Sequence, residues 1–112
     1  MTNTALAVAS DNVFSEEGER LGQLAALHNI PAIAAYRDFA AAGGLMSYGP
    51  GIADAHRQVG IYCGRILKGE KPSELPVQQA TKVDMVVNLR VSKVLGLSLP
   101  LALLGRADEV IE

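Results

Sequence analysis

The sequence predicts an α/β fold with a largely parallel sheet. Short apolar runs, typical of buried parallel strands, alternate with segments whose apolar residues recur every three or four positions, as they do in helices. Glycine, proline or a capping residue bounds most of these segments. A chain of 112 residues has the length of one domain, because domains usually run to about 100–150 residues. These observations predict a single core.

The first half of the chain is predicted to contain three strands and two helices. The strands are short apolar runs: Ala5–Ala9, Pro31–Ala35 and Leu45–Tyr48. Ser15, followed by an acidic first turn, is predicted to cap a helix that ends near His28. A brief helical turn is predicted over Arg37–Ala42, and the segment 49–51, Gly-Pro-Gly, is typical of a turn that leaves the third strand.

The clearest helix of the sequence is predicted from Ile52 to Leu67. Its apolar residues form one stripe: Ala55, Val59, Tyr62, Cys63, Ile66 and Leu67. We expect this stripe to be the buried face of the helix. Cys63 is the only cysteine, so it has no internal disulfide partner and is expected to pack there as a small apolar residue. Glu70–Pro76 is predicted to be a linker.

The last third of the chain is predicted to add one strand and two helices. Lys82–Val87 alternates polar and apolar residues, which predicts a strand with one less buried face. Asn88 is predicted to cap a short helix that runs through Leu95, and Pro100 suits the first turn of a last helical segment. The tail Ala107–Glu112 is expected to dock on the surface. The predicted order is therefore β-α-β-α-β-α-β-α-α.

Charge and hydropathy exclude several classes of partner. The formal charge is -2, the pI is near 5.6, and the Lys and Arg residues are spread singly along the chain. Nucleic acid is therefore not expected as a partner. The sequence contains no run of about 18 apolar residues, so no membrane span is predicted. The first residues carry no positive charge and only a short apolar stretch, so we expect no signal peptide in this chain.

The sequence shows no constellation typical of catalysis, cofactor binding or metal binding. His28 and His56 are far apart in sequence, and the spacing of two between Asp54 and His56 places them on different faces of a helix. No nucleophile elbow or phosphate-binding glycine pattern is present. We therefore expect a binder that is not an enzyme and needs no cofactor or metal.

Polar residues follow two predicted strands, where ligands of open α/β sheets bind. Asp11 could take a ligand ammonium, and Asn12 lies beside it; both could instead make only turn and capping bonds. Ser47 and the Gly49 amide could hold a carboxylate, and Tyr48 could stack on a ligand or merely pack. Asp54, a further candidate contact, lies in a first helical turn, where the helix dipole alone accounts for an acid.

Several ordered strings of the chain resemble one protein family. They are the Asp11-Asn12 segment, NIPAI at 29–33, GGLMSYG at 43–49, LKGEKP at 67–72, VNL at 87–89 and RADEVIE at 106–112. Together they resemble the C-terminal portion of the ABC-transporter substrate-binding family related to tryptophan/tyrosine-binding proteins. The resemblance covers nearly the whole chain.

The resemblance implies a fragment of a two-lobed type I periplasmic binding protein with a partial Rossmann-like parallel sheet. Residues 1–47 would be part of the second, C-terminal lobe, and residues 48–112 would supply the hinge and the elements that return to the first lobe. Five of the candidate ligand contacts match the family's cleft segments: Asp11, Asn12, Ser47, Tyr48 and Gly49. The sixth, Asp54, matches an acid that is usual in this branch of the family. His56 stands where an aromatic residue is expected, so the contacts there depart from the family pattern.

The same resemblance implies a periplasmic location, a small-molecule solute and an ABC permease as partner. Because the first lobe is missing from the sequence, we expect the apolar stripe of Ile52–Leu67 to be uncovered and the chain to form a homo-oligomer. The first functional hypothesis is a solute-binding component, or a fragment of one, for an amino-acid-like or organic-acid solute. The alternative is a self-associating interaction module that no longer binds solute.

Overall fold

A computed structural model describes residues 4–79 and 82–112. The chain divides into two compact units, which are described separately. The first unit comprises the described residues of Met1–Gly49 and Asp84–Glu112, and the second comprises those of Pro50–Val83. The predicted division at residue 47 concerns the lobes of a longer protein, and it stays a prediction.

The first unit alternates strands and helices, as the sequence predicts. Among the described residues its elements are β1 (Leu6–Ala7), α1 (Asn12–Glu16), α2 (Gly18–Leu27), β2 (Ala32–Ala34), α3 (Arg37–Ala42), β3 (Met46–Pro50, whose last residue belongs to the second unit), β4 (Val83–Asn88, whose first residue belongs to the second unit), α5 (Leu89–Leu95), α6 (Leu101–Arg106) and β5 (Glu109–Ile111). The described strands form one sheet in the order β1-β2-β3-β4-β5. The pairs β1–β2, β2–β3 and β4–β5 are parallel, which confirms the predicted fold class.

The core of the first unit lies where α2 and α3 pack on the sheet. Ala25, Ala32 and Phe39 form the buried cluster, and partly buried Val8 and Leu21 pack against it. The small residues of α2 let α3 approach closely. This packing fixes the helices relative to the strand ends that carry the candidate site.

The second unit is dominated by α4, Ile52–Leu67, whose bounds match the predicted helix. The hydroxyl of Tyr62 donates a hydrogen bond to the carbonyl of Pro76 at 2.5 Å, and the Arg65 guanidinium pairs with the Glu70 carboxylate. These contacts hold the segment after the helix against it. That segment includes one short 3₁₀ turn, Pro72–Glu74, within the predicted linker.

Several predicted boundaries are wrong at the two ends of the chain. Asp11, and not Ser15, caps the first helix. The predicted single helix is divided into α1 and α2 at Glu17, whose backbone is not helical (φ −97°, ψ 16°). The Ser15 hydroxyl instead donates to the Asp11 carbonyl. The tail does not simply dock on the surface, since Glu109–Ile111 pairs with β4 as a fifth strand.

Burial also departs from two of the predictions. Met85, Val86 and Val87 are all buried, so the end of β4 has both faces covered instead of one less buried face. Cys63 is exposed and not buried, and no residue of α4 is buried. Gly49 and Pro50 extend β3 and do not form the turn that was predicted after it. No helix among the described residues is both long and apolar enough to cross a membrane.

Candidate functional site

The strand order places three chain segments side by side at one edge of the first unit. Because β1, β2 and β3 are parallel neighbours, their carboxyl ends meet at the same edge of the sheet. Residues 8–12 follow β1, residues 35 and 36 follow β2, and β3 ends at Pro50. The two predicted polar clusters are therefore at one edge, with the end of β2 between them.

Asp11 and Asn12 lie in the loop after β1 and at the start of α1. The Asp11 carboxylate accepts a hydrogen bond from the Val13 amide at 2.9 Å through Oδ1. Both residues are exposed. The capping role that the sequence left open is thus present, and it leaves the Asp11 side chain at the surface. Ligand contact by either residue stays a prediction.

Ser47, Tyr48 and Gly49 are consecutive residues of β3 and alternate between the two sides of the strand. Ser47 is only 1% exposed, whereas Tyr48 is 58% exposed. A Cβ on Gly49 would lie 2.3 Å from the Ala35 carbonyl oxygen, so the neighbouring backbone leaves no room for a side chain there. At this strand end the Tyr48 ring is accessible to a ligand, and the Ser47 side chain is covered.

Asp54 belongs to the second unit, where it lies in the first turn of α4. Its carboxylate is 3.6 Å from the Arg57 guanidinium, one helical turn later. It also lines a half-open groove of about 600 Å³. The other residues of that groove are Gly51, Ala55, Gln58, Val59, Tyr62, Gln78, Gln79 and Lys82. A ligand contact by Asp54 stays a prediction.

Tyr36 is a residue at this edge that the sequence analysis did not single out. It is the second residue after β2 and stands at the N-cap position of α3 with an extended backbone (φ −121°, ψ 147°). Its side chain is partly exposed. A tyrosine just after a predicted strand was a usable signal, of the same kind as the one that marked Tyr48.

An ion pair between α3 and β5 adjoins Tyr36. The Arg37 guanidinium donates to both carboxylate oxygens of Glu109, at 2.6 and 2.7 Å. These hydrogen bonds hold the pKa of the Glu109 carboxyl below its usual value and raise that of Arg37. Arg37 is therefore already engaged and is not a free cation for a ligand carboxylate. Within residues 4–79 and 82–112, no group of three or more His, Cys, Asp or Glu side chains could hold a metal ion.

Comparison with known proteins gives one family over almost the whole chain. Residues 2–111 match the model of the family described as ABC transporter substrate binding protein. No curated protein matches the sequence.

Solved structures similar to this chain include three from bacteria. A conserved domain protein from Vibrio cholerae O1 biovar El Tor is 27% identical with a TM-score of 0.83, over 94% of this chain and 36% of its own. An ABC domain from Streptococcus pneumoniae, in complex with L-Trp, is 25% identical with a TM-score of 0.84, over 96% and 37%. A ligand-free, open substrate-binding protein with adhesive properties from Clostridium difficile is 26% identical with a TM-score of 0.64, over 96% and 36%. The chain thus spans little more than a third of the length of these structures.

Proposed function

Because the chain belongs to the ABC transporter substrate-binding protein family, we propose that it is a solute-binding component of an ABC transporter, or the C-terminal portion of one. The solute is a small amino-acid-like or organic-acid molecule. The observation that carries the proposal is the similarity to a solved ABC domain in complex with L-Trp, at a TM-score of 0.84 over 96% of this chain.

The chemistry of the sheet edge supports an amino-acid-like solute. The Asp11 carboxylate is exposed and would attract a ligand ammonium, while its Oδ1 still caps α1. The exposed ring of Tyr48 would pack on an apolar part of the solute. Asn12, Ser47 and the Gly49 amide complete the contacts proposed at this edge. Asp54, in the second unit, is proposed separately as a ligand contact. None of these roles requires a metal or a cofactor.

Transport follows from family membership and forms part of the proposal. The partners would be the solute and an ABC permease, and the working location would be the periplasm. Residues 1–47 would contribute to the second lobe, and residues 48–112 to the hinge and to elements that return to the first. Substrate-binding proteins bind and release their solute unchanged, so no enzymatic activity is proposed.

The proposal is tested by binding measurements on the purified 112-residue chain. Thermal-shift and calorimetric titrations use amino acids, aromatic acids and simple carboxylates. At least one of these solutes is expected to raise the midpoint temperature of unfolding, because a ligand that binds the folded state stabilises it. Asp11→Asn keeps the capping oxygen and removes the charge, so it should weaken the binding of solutes that carry an amine. Glu74→Gln removes one charge in the second unit and should not. A wild-type chain that binds nothing in the panel would refute solute binding by this chain.

A second candidate function, a self-associating interaction module, is favoured by the exposed apolar residues of α4. Ile52, Val59 and Ile66 recur every seven residues, so they share one side of the helix, and they are 47%, 61% and 40% exposed. Each Å² of apolar surface left in water costs roughly 25 cal/mol, which would drive pairing of two copies.

Light scattering after size exclusion tests this second function. If the chain is a self-associating module, its measured mass should be about twice the 11.8 kDa of one chain. The Val59→Glu variant should show the mass of a single chain. Val94→Glu changes a similarly exposed valine outside α4, at 71% exposure, and should leave the dimer intact. A wild-type chain that elutes as a monomer at high concentration would exclude this candidate.

A further inference from the structure

We infer that Tyr36 is a specificity-determining residue that contacts the ring or other planar part of the solute. The inference rests on the proposed solute-binding function and adds a residue and a solute class to it. Three features of the first unit carry it: the strand order, the small residues that surround Tyr36 at the sheet edge, and the contacts that fix its backbone.

The strand order puts Tyr36 between the two groups of candidate contacts. β2 lies between β1 and β3 in the sheet, so the residues that follow it lie between Asp11 and Tyr48. Neighbouring strands are about 4.8 Å apart, so the ends of β1 and β3 are separated by roughly 10 Å. A small solute that touches both Asp11 and Tyr48 must therefore cross the end of β2.

The residues around this crossing have little or no side chain. Ala35 precedes Tyr36, and the close approach of the Ala35 carbonyl excludes any side chain at Gly49 on the neighbouring strand. Ala34 pairs in register with Ser47, whose side chain is covered. Tyr36 is therefore the first residue after β2 with a large side chain, and it is partly exposed.

The backbone of Tyr36 is held on its C-terminal side. Its carbonyl accepts a hydrogen bond from the Phe39 amide at 3.2 Å, and Phe39 is anchored in the core at 2% exposure. The next residue, Arg37, is bound to Glu109 through both carboxylate oxygens. A ring on a fixed backbone loses little freedom when a ligand binds, so it suits stacking on a planar group.

Titrations with L-tryptophan and L-leucine test the inference, because the two solutes share the amino-acid group and differ in the ring. The chain contains no tryptophan, so indole emission reports the ligand alone. Tyr36→Leu keeps an apolar side chain and removes the ring, and Tyr36→Phe keeps the ring. We expect Tyr36→Leu to lower the affinity for L-tryptophan by about two- to tenfold and to leave the affinity for L-leucine nearly unchanged. Tyr36→Phe should bind both solutes about as well as the wild type.

The control is Leu27→Ala, which shortens a 73% exposed side chain at the end of α2, outside the proposed contacts, and should not alter the preference between the two solutes. Circular dichroism melts confirm that each variant is folded. Equal weakening of both solutes by Tyr36→Leu, or no weakening, would overturn the role of Tyr36 and leave solute binding intact. A wild-type chain that binds only solutes without a ring would also overturn it. Failure of the wild type to bind any solute defeats the proposed function itself, and this inference with it.

Discussion

Arg37 at the start of α3 and Glu109 in β5 are joined by two parallel hydrogen bonds, of 2.6 and 2.7 Å. This contact connects residues 72 positions apart in sequence. It is the paired arrangement in which a guanidinium and a carboxylate interact most strongly. It ties the last strand of the chain to the helix that begins at the candidate site.

Glu109→Gln is expected to destabilise the chain in a pH-dependent way. Because Arg37 lowers the pKa of Glu109 in the folded state, the pair stabilises the fold above the ordinary glutamate pKa, and this stabilisation is lost as the pH falls through the lowered value. Both side chains are more than one third exposed, at 54% and 41%, so solvent screening limits the effect at neutral pH to about 0.5–1 kcal/mol. Urea unfolding at pH 7 and at pH 3 measures it.

The control for this prediction is Glu16→Gln, an exposed acid outside the ion pairs of the described residues. It should change stability little at either pH. A Glu109→Gln penalty that is the same at pH 7 and pH 3 would contradict the assignment to the Arg37 pair. High salt should also shrink the penalty, since the pair is partly exposed.

Two helical glycines are expected to respond oppositely to replacement by alanine. A Cβ at Gly22 would lie 2.6 Å from the Phe39 carbonyl oxygen, so Gly22→Ala should push α2 from α3 and cost about 1–3 kcal/mol. A Cβ at Gly60 would meet nothing within 4 Å, so Gly60→Ala should only improve helix propensity and stabilise by about 0.5–1 kcal/mol. Urea midpoints of the two variants decide this. A stabilising Gly22→Ala would contradict the close helix contact.

Asn88 is expected to be far less replaceable than the other side-chain helix cap, Asp11. Its amide nitrogen donates to the Ala40 carbonyl at 2.8 Å, its oxygen accepts from the Val91 amide at 3.2 Å, and it is 4% exposed. Asn88→Ala leaves the Ala40 carbonyl without this donor and removes the cap, which should cost about 2–4 kcal/mol.

The matched variant is Asp11→Ala, which removes an exposed cap and should cost only about 0.5–1 kcal/mol. Thermal or urea unfolding of the two variants compares them directly. Equal penalties would show that the bond from Asn88 to Ala40 adds nothing to stability.

Local signals in the sequence predicted the bounds of α4 and α5 well, but they misplaced the first helix cap at Ser15. Asn88 caps α5 as predicted, and Gly96 ends that helix in a left-handed conformation (φ 71°) that favours glycine. The predicted bounds of α4 are the observed ones. Burial was predicted less well because it depends on distant neighbours. The apolar stripe that marks α4 shows where a helix could be covered, and Cys63 on it is exposed.

The candidate site was predicted in part for the same reason. The residues that follow β1 and those at the end of β3 could be named from the sequence, since polar residues after apolar runs mark strand ends. The strand order was not readable from those runs, so the position of Tyr36 between them was missed. The covering of Ser47 was missed as well, because it depends on contacts that the sequence does not display.

Removal of residues 107–112 is expected to unfold or strongly destabilise the first unit. These residues form β5 and pair with β4 from Val86 to Asn88. Asp108 adds two bonds to Met85: its amide donates to the Met85 carbonyl at 2.8 Å, and its carboxylate accepts from the Met85 amide at 2.7 Å. At about 1 kcal/mol per bond, and with the Glu109 ion pair also lost, the deletion should cost several kcal/mol.

The matched control for this deletion removes Glu112 alone and leaves the strand pairing of Glu109–Ile111 in place. Its main loss is the hydrogen bond that Arg90 donates to the Glu112 carbonyl, so the expected cost is below about 1 kcal/mol. Circular dichroism melts of the two truncated chains measure the difference. A merely docked tail would make both truncations mild, because no sheet bonds would be broken. A cooperative melt near the wild-type midpoint after removal of residues 107–112 would therefore contradict the role of β5 as part of the sheet.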